Sequence, residues 1–138
     1  MQRIFVDTWA RYALTDRKDT DHDIAEAANL RLLDEGYTFV TTNSVLSESV
    51  TLIRYRMYHD VAVQFRKTAN RLSESGLVEI IRVSETHEEC AWTIFEHYAG
   101  QDFSFTDCTS FAVMQELQLS HAFTADHHFT TMGFIVVP

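Results

Sequence analysis

Short apolar runs alternate with longer amphipathic stretches along the chain. Five runs are rich in Val, Ile, Phe and Thr: RIFV at 3–6, YTFVTT at 37–42, LVEIIRV at 77–83, HAFTA at 121–125 and GFIVV at 133–137. Most are near-continuously apolar, the pattern of parallel strands covered on both faces. Between them the period becomes helical. Ile24, Ala27, Ala28, Leu32 and Leu33 form one stripe that stops at Gly36, a natural C-cap. Val45, Leu46, Ser49, Leu52 and Ile53 form another, opened by Asn43 or Ser44 as N-cap. A third stripe, Val61, Phe65, Thr68, Ala69 and Leu72, runs to Gly76. Ser84, followed by His87 and Glu88, opens a helix that carries Trp92 and Phe95, and FSFTDCTSFAVM at 103–114 reads as a buried helix. This alternation predicts an α/β fold: a three-layer α/β/α sandwich around a central, mostly parallel sheet of about five strands. The one proline is the terminal Pro138, and no linker or repeat interrupts the pattern, so residues 1–138 read as a single domain.

Composition sharpens the picture in three places. With 46% hydrophobic and 12% aromatic residues the chain has ample material for a core and is not disordered. No apolar run reaches the about 18 residues of a membrane span. MQRIFVDTWARYAL is too short and polar for a secretory leader, with Asp7 interrupting it. Cys90 and Cys108 lack a partner motif and read as reduced, half-buried core residues of a cytoplasmic protein. The net charge of −9 argues against a general nucleic-acid binder, because phosphate contacts need cations. The cations are clustered, however. Arg54, Arg56, Arg66, Lys67 and Arg71 fall between Ser49 and Ser73 with only Asp60 among them, a candidate surface for an anionic partner such as RNA. The alternative is two ordinary solvated helix faces.

Four acids occupy positions that ask for an explanation. Asp7 closes the first apolar run and Asp126 the fourth, and ligands of open parallel sheets bind at strand carboxyl ends. Each also suits a helix N-cap. Glu48 shares the apolar face of Val45 and Leu52, with a snorkelling edge position as the alternative. Asp107 sits one turn before Phe111, and Ser104-x-x-Asp107 also fits a capping box. If the helix of Asp107 starts at the rim of the sheet, all four carboxylates converge there and need a cation among them. All-oxygen ligation points to a hard divalent ion, Mg²⁺ or Mn²⁺. A zinc reading of His127-His128 is set aside, since neighbours on a short loop rarely share an ion; both are expected to be exposed. No Walker or G-x-G-x-x-G motif is present.

These residues resemble a known family. FVDT at the start, VLSE at 45–48, SFTDCTSFAVM at 104–114, TADHHF at 124–129 and a last strand after Gly133 resemble the PIN domain nucleases, in particular the toxins of VapBC-type toxin–antitoxin pairs. The resemblance implies an acidic site of Asp7, Glu48, Asp107 and Asp126. Asp7 and Asp107 are the expected direct metal ligands, Glu48 a ligand or base, and Asp126 a ligand directly or through water. Thr8 and Thr124 match hydroxyl positions beside the acids, and Asp102 is a rival to Asp107. The implied chemistry is hydrolysis of RNA phosphodiester bonds with Mg²⁺ or Mn²⁺, leaving a 5′-phosphate and a 3′-hydroxyl. The implied partners are an RNA substrate, an antitoxin protein and a second copy of the chain, with Trp9, Tyr12, Trp92 and Phe95 as core or dimer-interface aromatics. A non-catalytic PIN-like module that binds RNA or protein is the alternative. A receiver-like phosphoacceptor domain lacks its strand-end lysine here, because only Lys18 and Lys67 are present.

Overall fold

The first apolar run becomes the middle of the sheet. In a computed structural model, which describes residues 2–138, β1 (Arg3–Val6) pairs on one side with β2 (Thr38–Thr42) and on the other with β4 (His121–Phe123). Outside these lie β3 (Val78–Ile81) and β5 (Ile135–Val137), giving the order β3-β2-β1-β4-β5 with every pairing parallel. The chain therefore builds outward from β1 to β3, then crosses back to β4 on the far side of β1. That reversal puts the topological switch point between the carboxyl ends of β1 and β4.

Alternation along β1 feeds two cores, which is why its sequence is apolar at every position. Ile4 and Val6 pack on one face with Ala10 and Ala13 of α1 (Thr8–Thr15) and Ala25, Ala28 and Leu32 of α2 (His22–Asp34). Phe5 packs on the other with Ala91 and Ile94 of α5 (Glu85–His97), Phe111 and Met114 of α6 (Phe105–Glu116) and Phe129 of α7 (His127–Thr131). A smaller cluster of Tyr12, Ile53 and Ala62 joins α1 to α3 (Asn43–Arg56) and α4 (His59–Glu74). Each fully buried Phe contributes about 2–3 kcal/mol of burial. Gly36 and Gly76 end α2 and α4 at φ of 83° and 85°, left-handed conformations that glycine adopts without a Cβ clash. Among the described residues no helix is long and apolar enough to cross a membrane.

Several expectations change. The N-cap of α3 is Thr42, whose side chain accepts from the Val45 N–H, and Asn43 is already helical. The Asn43 amide oxygen is drawn instead to the N–H of Val83, 2.7 Å away, tying α3 to the chain beyond β3. α1 and α7 are eight and five residues long, too short for their period to stand out in sequence. Cys108 is buried, but Cys90 is exposed rather than half-buried. Tyr12 is buried, whereas Trp92 and Phe95 are 53% and 41% exposed and form a surface trio with Phe105.

Candidate functional site

Asp7 follows the last residue of β1 at the switch point and is 6% exposed. It occupies the N-cap position of α1, yet its side chain makes no capping bond. One carboxylate oxygen instead accepts from the Thr124 hydroxyl at 3.0 Å. The same hydroxyl oxygen accepts from the Asp126 N–H at 3.0 Å, so Thr124 links the ends of β1 and β4. Burial pushes the Asp7 carboxyl up to about 7, and the nearby charges of Asp107 and Asp126 act in the same direction. Hydrogen bonds from Thr8 and Thr124 oppose the rise without cancelling it.

Asp107 enters from α6. The Ser104 hydroxyl accepts from the Asp107 N–H, and the Asp107 carboxylate accepts from the Ser104 N–H, each at 3.0 Å. The capping box is therefore formed, and it aims a carboxylate at the rim of the sheet. Burial again raises its pKa, with repulsion from Asp126 adding to the effect. Asp126 caps the short α7 by accepting from the His128 N–H at 2.9 Å. Both local readings, cap and capping box, coexist with convergence, because these acids hold their own backbone and still face Asp7.

His128 completes the cluster and corrects the expectation of an exposed loop residue. Its side chain is 13% exposed, with Nδ1 3.2 Å from Asp126 Oδ1 and 3.5 Å from Asp107 Oδ2. Neither approach has hydrogen-bond geometry, so the buried nitrogen stays unpaired. His127 points away, 81% exposed. One donor atom from each of Asp126, His127 and His128 lies within 4.8 Å of the others, a set that mixes oxygen and nitrogen. The sequence signal for His128 is its place two residues after a capping Asp, which turns it inward at the start of α7.

The remaining predicted positions divide. Thr124 is fully buried in the network described, and Thr8 is buried with its hydroxyl unpaired among the described residues. Glu48 does not face inward: it is exposed on α3 and lines a cleft of ≈690 Å³ together with Asn43, Ser47, Thr51, Tyr55 and Thr106. The stripe of α3 is closed by Val45 and Ser49, and that leaves Glu48 on its solvent side. The cleft reaches the cluster through Thr106, the residue before Asp107. Asp102 is exposed beside Trp92 and Phe95 and stands apart from the three aspartates. Arg54, Arg66 and Lys67 rim a groove of ≈540 Å³ between α3 and α4, with His59 and Tyr55. Thr51 and Tyr55 line both this groove and the Glu48 cleft. Arg56 lies over the Tyr12 ring and Arg71 donates to Thr68, so neither joins the groove.

The donor set fits a hard divalent ion. Three carboxylates at one rim, two of them with raised pKa values, are short of positive charge, and a cation would reverse that condition.

Comparison with known proteins adds a second line of support. A family model for the PIN domain matches residues 4–135. The chain is 34% identical over 135 residues, 97% of each chain, to the 23S rRNA-specific endonuclease VapC20 of Mycobacterium tuberculosis. The crystal structure of that protein, described as a Sarcin-Ricin loop cleaving toxin, superposes with a TM-score of 0.85 at 35% identity, covering 98% of this chain and 99% of that one. VapBC2 from Rickettsia felis, solved on a DNA fragment from its promoter, shares the fold alone: TM-score 0.69 at 16% identity, covering 98% and 97%.

Proposed function

From the premise that the chain belongs to the PIN domain family, we propose that it is a divalent-metal-dependent endoribonuclease and the toxin of a toxin–antitoxin pair. The observation that carries this reading is Asp7. A carboxylate buried at the switch point, facing two others and hydrogen-bonded so as to stay in place, costs stability that a binding module has no reason to spend. The kinship with a ribosomal RNA endonuclease makes a structured loop of large-subunit rRNA the first substrate to offer.

In this reading Asp7, Asp107 and Asp126 hold Mg²⁺ or Mn²⁺. Thr124 orients Asp7 and fixes the backbone of Asp126, the Ser104 capping box orients Asp107, and Thr8 offers a free hydroxyl beside Asp7. Glu48 is the fourth acid, and because it is exposed its side chain is free to turn toward the ion. The ion, when bound, supplies activation of water and neutralisation of charge on the phosphate. Arg54, Arg66 and Lys67 contact the RNA backbone on the flank away from the acids. An antitoxin would silence the chain by offering a cation to the carboxylates. The exposed trio of Trp92, Phe95 and Phe105 is the face of a homodimer, and the protein works in the cytoplasm.

The test is cleavage of an rRNA-loop oligonucleotide by the purified chain with Mg²⁺ or Mn²⁺, then with EDTA, beside Asp7→Asn and Asp107→Asn. Cleavage that needs the ion and falls at least about a hundredfold in both variants is expected. Absence of cleavage together with absence of divalent binding by calorimetry would sink the catalytic reading in favour of a binding module.

A further inference from the structure

Arg11 takes no part in the site described above. It lies one turn beyond Asp7, and its N–H donates to the Asp7 carbonyl. The residue as a whole is partly exposed, but Nε and Nη2 are buried and have no hydrogen-bond partner among the described residues. Every ion pair among the described residues leaves Arg11 out. Burial lowers its pKa to about 10, and no acid works against that change. Guanidinium groups withdrawn from water normally lie against a carboxylate or phosphate, because the desolvation is otherwise uncompensated.

What surrounds the guanidinium indicates what is missing. Two cavities, ≈280 Å³ and ≈140 Å³, meet at Arg11, with Leu14 and Leu72 lining both. The larger is walled by aliphatic and aromatic groups that include Leu33, Phe39 and Phe123, and neither cavity has an acid in its wall. Apolar surface continues past the mouth: Leu33 is 38% exposed, and Leu30, one turn earlier on α2, is 59% exposed.

We propose that this groove between α1, α2 and α4 binds a segment of a partner protein in which an Asp or Glu is flanked by aliphatic residues, the carboxylate pairing with Arg11. The planar fork of Arg11 matches a carboxylate bidentately, and the apolar walls take the flanking side chains. A phosphodiester strand is disfavoured because its sugars and charges would face leucine and phenylalanine. A free carboxylic acid would leave Leu30 and Leu33 uncovered, and a peptide segment covers them. The inference stands apart from the nuclease reading.

The probes are two helical peptides of about twelve residues with the same aliphatic positions, one with Glu at its centre and one with Gln, and hexanoate as a third. Each is titrated by calorimetry into wild-type protein, Arg11→Met and Arg11→Lys, with circular dichroism and melting as folding controls. The Glu peptide is expected to bind wild type at least about tenfold more tightly than the Gln peptide. Arg11→Met should erase that difference, and Arg11→Lys should keep part of it. Arg11→Met should also melt at or above the wild-type temperature, since it removes an unpaired buried charge. Equal affinities for the two peptides, or binding of neither, overturn the proposal. So does hexanoate binding without peptide binding, which would assign the cavity to a small carboxylic acid. A lowered melting temperature in Arg11→Met, with no peptide discrimination by Arg11→Lys, would show the cation to be satisfied within the fold and overturn it too.

Discussion

At the scale of single residues, the site is dominated by the cost of burying Asp7. Its carboxyl is shifted from 3.8 to about 7, chiefly by desolvation. The sign of the consequence follows from linkage. The metal-free native state holds this proton more tightly than the unfolded chain does. Its stabilising contribution is therefore present below about pH 4 and lost as pH rises through about 7. Metal-free wild type should melt at progressively lower temperature between pH 5 and pH 8. Asp7→Asn, which keeps an oxygen for Thr124, should flatten that profile and add about 2–4 kcal/mol at pH 8. Denaturant titrations at the two pH values measure it, and an equal slope in both proteins would mean that Asp7 ionises without penalty. Thr124 makes the complementary case. Thr124→Val keeps the shape but removes both hydroxyl bonds, one to Asp7 and one from the Asp126 N–H. Divalent affinity should fall about 10–100-fold by calorimetry, as expected when a group that orients a ligand is lost.

At the scale of elements, the helix termini do double duty. The first turn of α6 needs its orphan N–H groups satisfied, and the reciprocal bonds of Ser104 and Asp107 supply this while fixing the acid. Ser104→Ala should cost about 1 kcal/mol in urea unfolding and lower cleavage through a looser Asp107. Loss of stability with full activity would separate the cap from the site. This pairing was legible in the sequence because it is local: serine, three positions, aspartate. So were the five strands, whose apolar runs reflect two covered faces, and the ends of α2 and α4 at Gly36 and Gly76. Features set by distant contacts were not legible. The start of α3 moves to Thr42 because Asn43 is claimed by Val83, forty residues on. Glu48 falls on the solvent side of its helix although its neighbours at three and four residues are apolar, since Val45 and Ser49 alone complete the buried stripe. The inward turn of His128 depends on Phe103 and Asp107 across the rim, and nothing adjacent in sequence announces them.

At the scale of the whole molecule, charge is divided. A chain of net −9 must approach a polyanion through a surface that departs from its average, and the groove between α3 and α4 is that surface. Arg54, Arg66 and Lys67 rim it without an acid in its wall, and Thr51 and Tyr55 connect it to the cleft beside Glu48. RNA lying across both would release counterions at the cationic groove and present its backbone to the carboxylates, where a divalent ion offsets the repulsion. The two contributions respond differently to salt. Counterion release is lost steeply as monovalent salt rises, with a slope of about 0.7–0.9 per phosphate contacted. Chemistry at the acids depends on the divalent ion once RNA is bound. Replacing Arg54, Arg66 and Lys67 together by alanine should therefore reduce the salt dependence of RNA affinity by about 2 in log–log slope, with wild type and variant converging at high salt. Cleavage of saturating RNA should change little, so the loss appears in KM and not in kcat. Arg71→Ala serves as the control from the same basic stretch, since its guanidinium is turned to Thr68 outside the groove. An unchanged slope in the triple variant, or an equal change in Arg71→Ala, would mean that the RNA enters by another face.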